Sequence, residues 1–437
     1  MENSLVGAIG GIVFLILVIL GVHIGIALGV VGLAGIAVLT SPATAVSSAV
    51  TTVFYFVTEY TFILLPFFIL MGIVAGQGGI SRNLYSGLDK WIGNVRGGAA
   101  MATVFACALF GLCTGSAMVA AVTFTRVSAP SLRELGYDKR FVYGLIASSG
   151  AIAMLIPPSA LAVIYGLLSG ESVGKLLIGG IGPGVLMTLL FTLGVMGMIW
   201  MKPSLAGPGR SCAVTFKERV IALYQMWPVA VIGGVVIGGI YLGVFTVVEA
   251  GAVASFAILV IGFSSGHLSW KDAKAGVLES VNISVMVFFI FASARLFSRF
   301  LALSGVSTYM ANTIIGFGLS PIGFVIGISI IFIILGCFLD SVSMLCIMVP
   351  LLLPVVKEMK LDPIWFAMVV IVAIHIGLIT PPVGLNVFAT KGVAESDVSL
   401  EDIFAGVLPF FFLMVATLAL VIAFPAISSW LPSLIER

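Results

Sequence analysis

Residues 373–390 (AIHIGLITPPVGLNVFAT) form an apolar run with two consecutive prolines in its middle. Pro381 and Pro382 remove two backbone donors and clash with the preceding turn, so the carbonyls around Gly377 to Thr380 lose their helical partners. The chain is 61% hydrophobic and only 9% charged over 437 residues, far too apolar for an ordinary soluble domain, and reads as an all-α polytopic membrane protein. At bilayer depth a freed carbonyl must find protein, water or a cation. The break is therefore either repaired by packing or used to hold an ion.

The break has a twin. Pro157-Pro158 stands 224 positions before Pro381-Pro382 (381 minus 157), and the same offset carries Asp138 onto Asp362, Glu171 onto Glu395, Ser172 onto Ser396 and Ser116 onto Asp340. Each Pro-Pro element is preceded by an apolar segment interrupted at its centre, by GLCTGSA (111–117) in one and GCFLDSVS (336–343) in the other. Arms of about 15 residues are short for a crossing and suit a re-entrant hairpin with its tip near the midplane; two short spanning helices are the alternative.

An internal repeat of this order predicts two units. Residues 1–220 hold scaffold helices within 5–75 (near 5–20, 23–39 and 54–75), an interfacial arm 79–93, a hairpin 99–135, a broken helix 141–170, a helix 176–200 and a cytoplasmic loop 202–219. Residues 221–437 hold scaffold helices within 227–303 (near 227–242, 247–263 and 281–303), an arm 305–318, a hairpin 321–358, a broken helix 363–390 and a helix 404–427. The first apolar run lacks a basic leader and reads as a retained helix.

Lys and Arg cluster in 81–96, 126–140 and 202–219, which should face the cytoplasm; 357–362, the repeat partner of 126–140, carries two Lys against two acids and fits the opposite side. Counting crossings then puts both termini outside and gives the two repeats inverted topology. The loop 391–402 resists the rule: it should be inside, yet holds one Lys and four acids.

Inverted repeats with discontinuous helices at the midplane are the architecture of secondary transporters, where unwound carbonyls bind cations. The tips offer Thr114, Ser116, Asp340, Ser341 and Ser343, the breaks Ser159, Thr380 and Asn386, and the backbone at Gly115, Gly336 and Gly377 adds carbonyls. These are hard oxygen donors suited to sodium. Asp340 is the sharpest: a carboxylate within the membrane is costly unless it meets a cation or donor, although capping the outgoing hairpin helix would also occupy it. Ser116, Pro158, Ser159, Pro382 and Asn386 are expected on the substrate side, with Asn386 alternatively a cap. Glu59 and Glu249 read as local caps or partners, and His375 as a packing residue more than a proton relay. Arg295 and Arg299 share a helix face and could anchor the helix, pair with an acid or draw an anionic substrate.

No catalytic or nucleotide-binding motif occurs, a charge of +2 without a basic patch points to no nucleic-acid partner, and the five Cys read as small packing residues. A passive channel or structural scaffold is the competing class to a carrier.

GSAMVAAVTF, PSLRELGYD and MLIPPSALAVIYG, with LDSVSMLCIMVPLLLPV, LDPIWFAMVV and GLITPPVGLNVF, resemble the two halves of the large membrane (M) subunit of tripartite ATP-independent periplasmic (TRAP) transporters, within a wider group of ion transporters. The resemblance implies an elevator-type, sodium-driven importer of an organic acid such as sialic acid or a C4-dicarboxylate. A soluble periplasmic (P-type) protein would deliver the substrate, and a small four-helix (Q-type) membrane subunit would brace the chain in the bacterial inner membrane. By similarity, sodium would be held around Gly115, Ser116 and the Ser159 break, and around Asp340, Ser341, Ser343 and the Thr380–Asn386 break. Thr114 stands where family members often have Asn.

Overall fold

A computed structural model describes residues 2–77, 79–207, 214–306, 309, 312–313, 316 and 318–434. Among them every regular element is helical. Six described helices are long and apolar enough to cross a membrane, and up to eight if two bent helix pairs each count as one span.

Both interrupted segments are helical hairpins. The first runs Gly98–Thr114, turns through Gly115 and Ser116, and returns as Ala117–Val127; the second runs Pro321–Gly336 and returns as Ser341–Glu358. Both Pro-Pro elements are breaks: Lys139–Leu155 resumes as Ala160–Ser169 after a 45° bend, and Pro363–Ile379 resumes as Leu385–Lys391. Moving Lys139–Leu155 by 224 positions gives the bounds of Pro363–Ile379 at both ends. The start signals recur too, since Asp138 accepts from the amide of Phe141 and Asp362 from those of Ile364 and Trp365.

These elements are the centre of the molecule. Every residue from Phe141 to Leu155 and from Trp365 to Ile379 is buried. The outer helices instead leave one apolar side open, with Leu5, Ile9, Ile12 and Ile16 exposed on Glu2–Ile19 and Leu278, Val281, Val285 and Phe289 on Trp270–Ser304. That division is expected of helices whose outer face meets lipid rather than water.

The scaffold departs from expectation in four places. The span expected at 54–75 is preceded by a separate helix, Pro42–Thr58, started by Ser41 as cap and Pro42 in the first turn; a short 3-10 turn, Tyr60–Ile63, then leads into Leu64–Gln77. Its repeat counterpart is not broken: Trp270–Ser304 is one helix of 35 residues, far longer than 281–303. The loop 202–219 contains the start of a helix, Phe216–Gln225, opened by a Thr215–Glu218 capping box. The last helix begins earlier than expected, Leu400–Ala423, and a short helix Ala426–Ser433 follows it. The arm 79–93 is present as Ile80–Ile92, packed on both Gly98–Thr114 and Phe216–Gln225; half of the arm 305–318 lies outside the described residues. Glu249 closes a capping box with Thr246.

Candidate functional site: two hairpin tips against two helix breaks

Each tip is tied to the break of its own repeat by a backbone bond. The amide of Ala160, just past the first Pro-Pro pair, donates to the Gly115 carbonyl at 3.4 Å; the amide of Val383, just past the second, donates to the Cys337 carbonyl at 3.3 Å. A break frees amides as well as carbonyls, and the hairpin tips satisfy these two.

At the first tip Gly115 has φ +57°, and a Cβ there would run into the Pro158 carbonyl oxygen. Only glycine lets the tip settle on the break this closely. The Thr114 hydroxyl folds back over the turn, accepting from the Ser116 amide at 3.0 Å, while its carbonyl lies 2.8 Å from a Cβ built on Gly72 of the scaffold helix Leu64–Gln77. Ser116 caps Val119 at 3.4 Å and Ser159 caps Ala162 at 3.2 Å. Thr114, Pro158 and Ser159 are buried, and Ser116 is half-buried.

The second tip repeats the cap with a charge. Asp340 Oδ1 accepts from the amides of Val342 and Ser343, each at 3.0 Å, and Oδ2 accepts from the Ser343 hydroxyl. Asp340 thus caps the helix with three of the four or so acceptor directions that two carboxylate oxygens offer and keeps about one spare. Asp340 is exposed and Ser341 and Ser343 are buried. Gly336 and Gly377 form a helix crossing, with a Cβ on either within 2.8 Å of the other's Cα. Thr380 partly repairs the break, its hydroxyl donating to the Ile376 carbonyl at 2.6 Å and its amide to that of Gly377 at 3.0 Å. Pro381 and Pro382 are exposed, whereas Pro157 and Pro158 are buried, so the second break is the more open.

The two halves interlock. Ala160–Ser169 packs against Ser341–Glu358, and Leu385–Lys391 packs against Ala117–Val127. Asn386, buried, reaches from the second break to the Ala147 carbonyl of the first broken helix at 3.5 Å. Beside it are three hydroxyls not singled out from the sequence: Ser148, Ser149 and, one turn after Asn386, Thr390 are buried with no hydrogen-bond partner among the described residues. The pair Ser148-Ser149 inside an apolar helix was the available signal. His375 is fully buried in the half-helix before the second break.

The acidic loop finds its reason here. Arg133 meets Asp397 at 3.2 Å and Glu395 at 3.7 Å, and Asp402 is held by Lys139 at 2.8 Å and Arg140 at 2.9 Å. Lys391 turns inward to the Val398 carbonyl at 2.6 Å. Three of the four acids of 391–402 therefore sit against the basic loop 126–140.

The model of the family described as "Tripartite ATP-independent periplasmic transporter, DctM component" matches residues 12–427. The chain is 32% identical to the isethionate TRAP transporter permease protein DctMQ of Oleidesulfovibrio alaskensis over 95% of its own length and 64% of that protein's. It is 30% identical to the C4-dicarboxylate TRAP transporter large permease protein DctM of Vibrio cholerae over 96% of both chains. In fold it is similar to the Alcanivorax borkumensis YdaH transporter, with a TM-score of 0.62 at 14% identity over 88% of this chain and 89% of that one.

Proposed function

This chain belongs to the DctM component family of tripartite ATP-independent periplasmic transporters, and we propose that it is the large transport subunit of a sodium-coupled importer of organic anions. A periplasmic binding protein would deliver the anion and a small membrane subunit would brace the scaffold. Two relatives are named for a sulfonate, isethionate, and for C4-dicarboxylates, which supports the anion class and leaves its identity to the delivering protein.

The observation that carries the proposal is the tip-on-break contact made twice. The first tip and break offer the carbonyls of Gly115 and Pro158 and the hydroxyls of Thr114, Ser116 and Ser159; the second offer the carbonyl of Cys337, the hydroxyls of Ser341, Ser343 and Thr380 and the carboxylate of Asp340. Such a set is all hard oxygen, the donor chemistry of sodium. Sodium would be cargo here, its binding drawing the tips toward the breaks and completing the substrate side at Pro158, Pro382 and Asn386. The interlocked hairpins and broken helices would move as one body against Ile24–Leu39, Leu64–Gln77, Val247–Ser264 and Trp270–Ser304, which pack mainly on each other.

Vesicles containing the chain with its small subunit and binding protein should accumulate a labelled organic anion only when sodium is present outside. Uptake that persists unchanged with choline in place of sodium would overturn the coupling.

A further inference from the structure

Away from the tips, a cavity of about 680 Å³ opens between the scaffold and the second hairpin. Its walls come from Pro42–Thr58 and the turn after it, from the end of Trp270–Ser304 and from the end of Ser341–Glu358, with Leu168 of the first broken helix completing the lining. Three cations line it, Arg295, Arg299 and Lys357, against one carboxylate, Glu59. Glu59 already accepts from the Thr61 hydroxyl at 3.1 Å. Among the described residues, none of the three cations lies within ion-pair distance of an acid. Arg295 and Arg299 stand one turn apart on one helix face, where like charges repel. The same stretch of helix packs into the protein through Leu296, Phe297 and Phe300, which are buried.

Three cations facing one carboxylate in a cleft leave it net positive, which concentrates anions, and the volume suits a small molecule. We propose that this cavity is a second organic-anion site, in which a carboxylate or sulfonate is held by Arg295, Arg299 and Lys357 before it reaches the tips. The claim rests on the anion-importer reading above. Lys357 belongs to the hairpin and the arginines to the scaffold, so the anion bridges the two bodies and is released when they separate. The hydroxyl of Thr52 on the opposite wall supplies a neutral donor for the rest of the molecule, that of Thr51 being spent on the Ser47 carbonyl at 2.6 Å.

The test places a thiol inside the cavity with Ser298→Cys, in a chain carrying Cys212→Ser; the four other cysteines are buried. The full chain with its small subunit is placed in neutral phosphatidylcholine nanodiscs and treated with sulfonatoethyl methanethiosulfonate or its trimethylammonium counterpart. The sulfonate reagent should label about fivefold faster or more, millimolar succinate or isethionate should slow it, and Arg295→Gln with Arg299→Gln should erase the preference. Equal rates, or a preference that survives the double substitution, would overturn the proposal. Labelling slowed by phosphatidylglycerol in the nanodisc but by neither soluble anion would assign the site to lipid phosphate and overturn it as well. Asp340→Ala keeps the two readings apart: it should abolish sodium-dependent uptake and leave the reagent preference intact, so failure of coupling and failure of this site register separately.

Discussion

Arg140 donates from Nε to Oδ1 of Asp402 across 2.9 Å, joining the start of the first broken helix to the start of the last long helix, 262 residues later. Lys139 takes the other carboxylate oxygen at 2.8 Å, and Asp402 is 8% exposed. Arg140 is 63% exposed, so only part of the contact escapes solvent screening.

Asp402→Ala should therefore lower the unfolding free energy of the purified protein by about 1–3 kcal/mol, the range for hydrogen bonds to a mostly buried charge. Thermal unfolding in detergent at low and high salt checks this. An unchanged midpoint at both would show the pairs to be ornamental.

Asp340 can be resolved into cap and charge. Asp340→Asn keeps an N-cap oxygen and should hold stability within about 0.5 kcal/mol, whereas Asp340→Ala should cost about 0.5–2 kcal/mol. Both should raise the sodium concentration for half-maximal uptake by about tenfold or more, equivalent to about 1.4 kcal/mol of lost ion binding. If the Asn variant transports with wild-type sodium dependence, Asp340 is a cap alone.

The Gly336–Gly377 crossing leaves no room for a side chain. Gly377→Ala places a methyl within 2.6 Å of the Gly336 Cα and 2.9 Å of the Ile333 carbonyl. Overpacking of this kind costs about 1–3 kcal/mol, and the displaced hairpin should carry the Cys337 carbonyl away from Val383. Reduced thermal stability together with lost uptake is expected; wild-type uptake in a folded Gly377→Ala variant would detach the crossing from function.

Pro381→Ala with Pro382→Ala restores two amides to the second break. Removing the steric clash lets the helix run on, so the variant should fold at least as well as the parent and lose sodium-dependent uptake. Circular dichroism, thermal unfolding and vesicle uptake together check it, and retained uptake would show that the break is dispensable.

Much of the central architecture was legible because it is written as local exceptions. Proline pairs and Gly-Ser or Asp-Ser interruptions inside apolar runs mark breaks and tips, and the expected starts of the broken helices, 141 and 363, lie two residues from and at the observed ones. The cap at Ser116 and its charged counterpart at Asp340 followed from the same offset. Other features have no such local mark. Pro42–Thr58 is too rich in Ser and Thr to register as an apolar span, and Phe216–Gln225 is averaged away by its polar loop. The pairing of 391–402 with 126–140 depends on tertiary packing between segments some 260 residues apart, so an inventory of charges read the acids as an exception to topology when they are counterions to their neighbours. The cavity around Arg295 has the same origin, since its walls meet only in the folded chain.

Because each returning hairpin arm lies against the far half of the other repeat's broken helix, the four elements close into a clasp with no free end. A nudge at one tip cannot be absorbed locally, since a packed interior does not deform continuously; it must be handed around the ring to the opposite tip. On the proposed function, a cation arriving at Ser116 and one arriving at Asp340 would then be felt by the same mechanical unit, and any movement would wait on both.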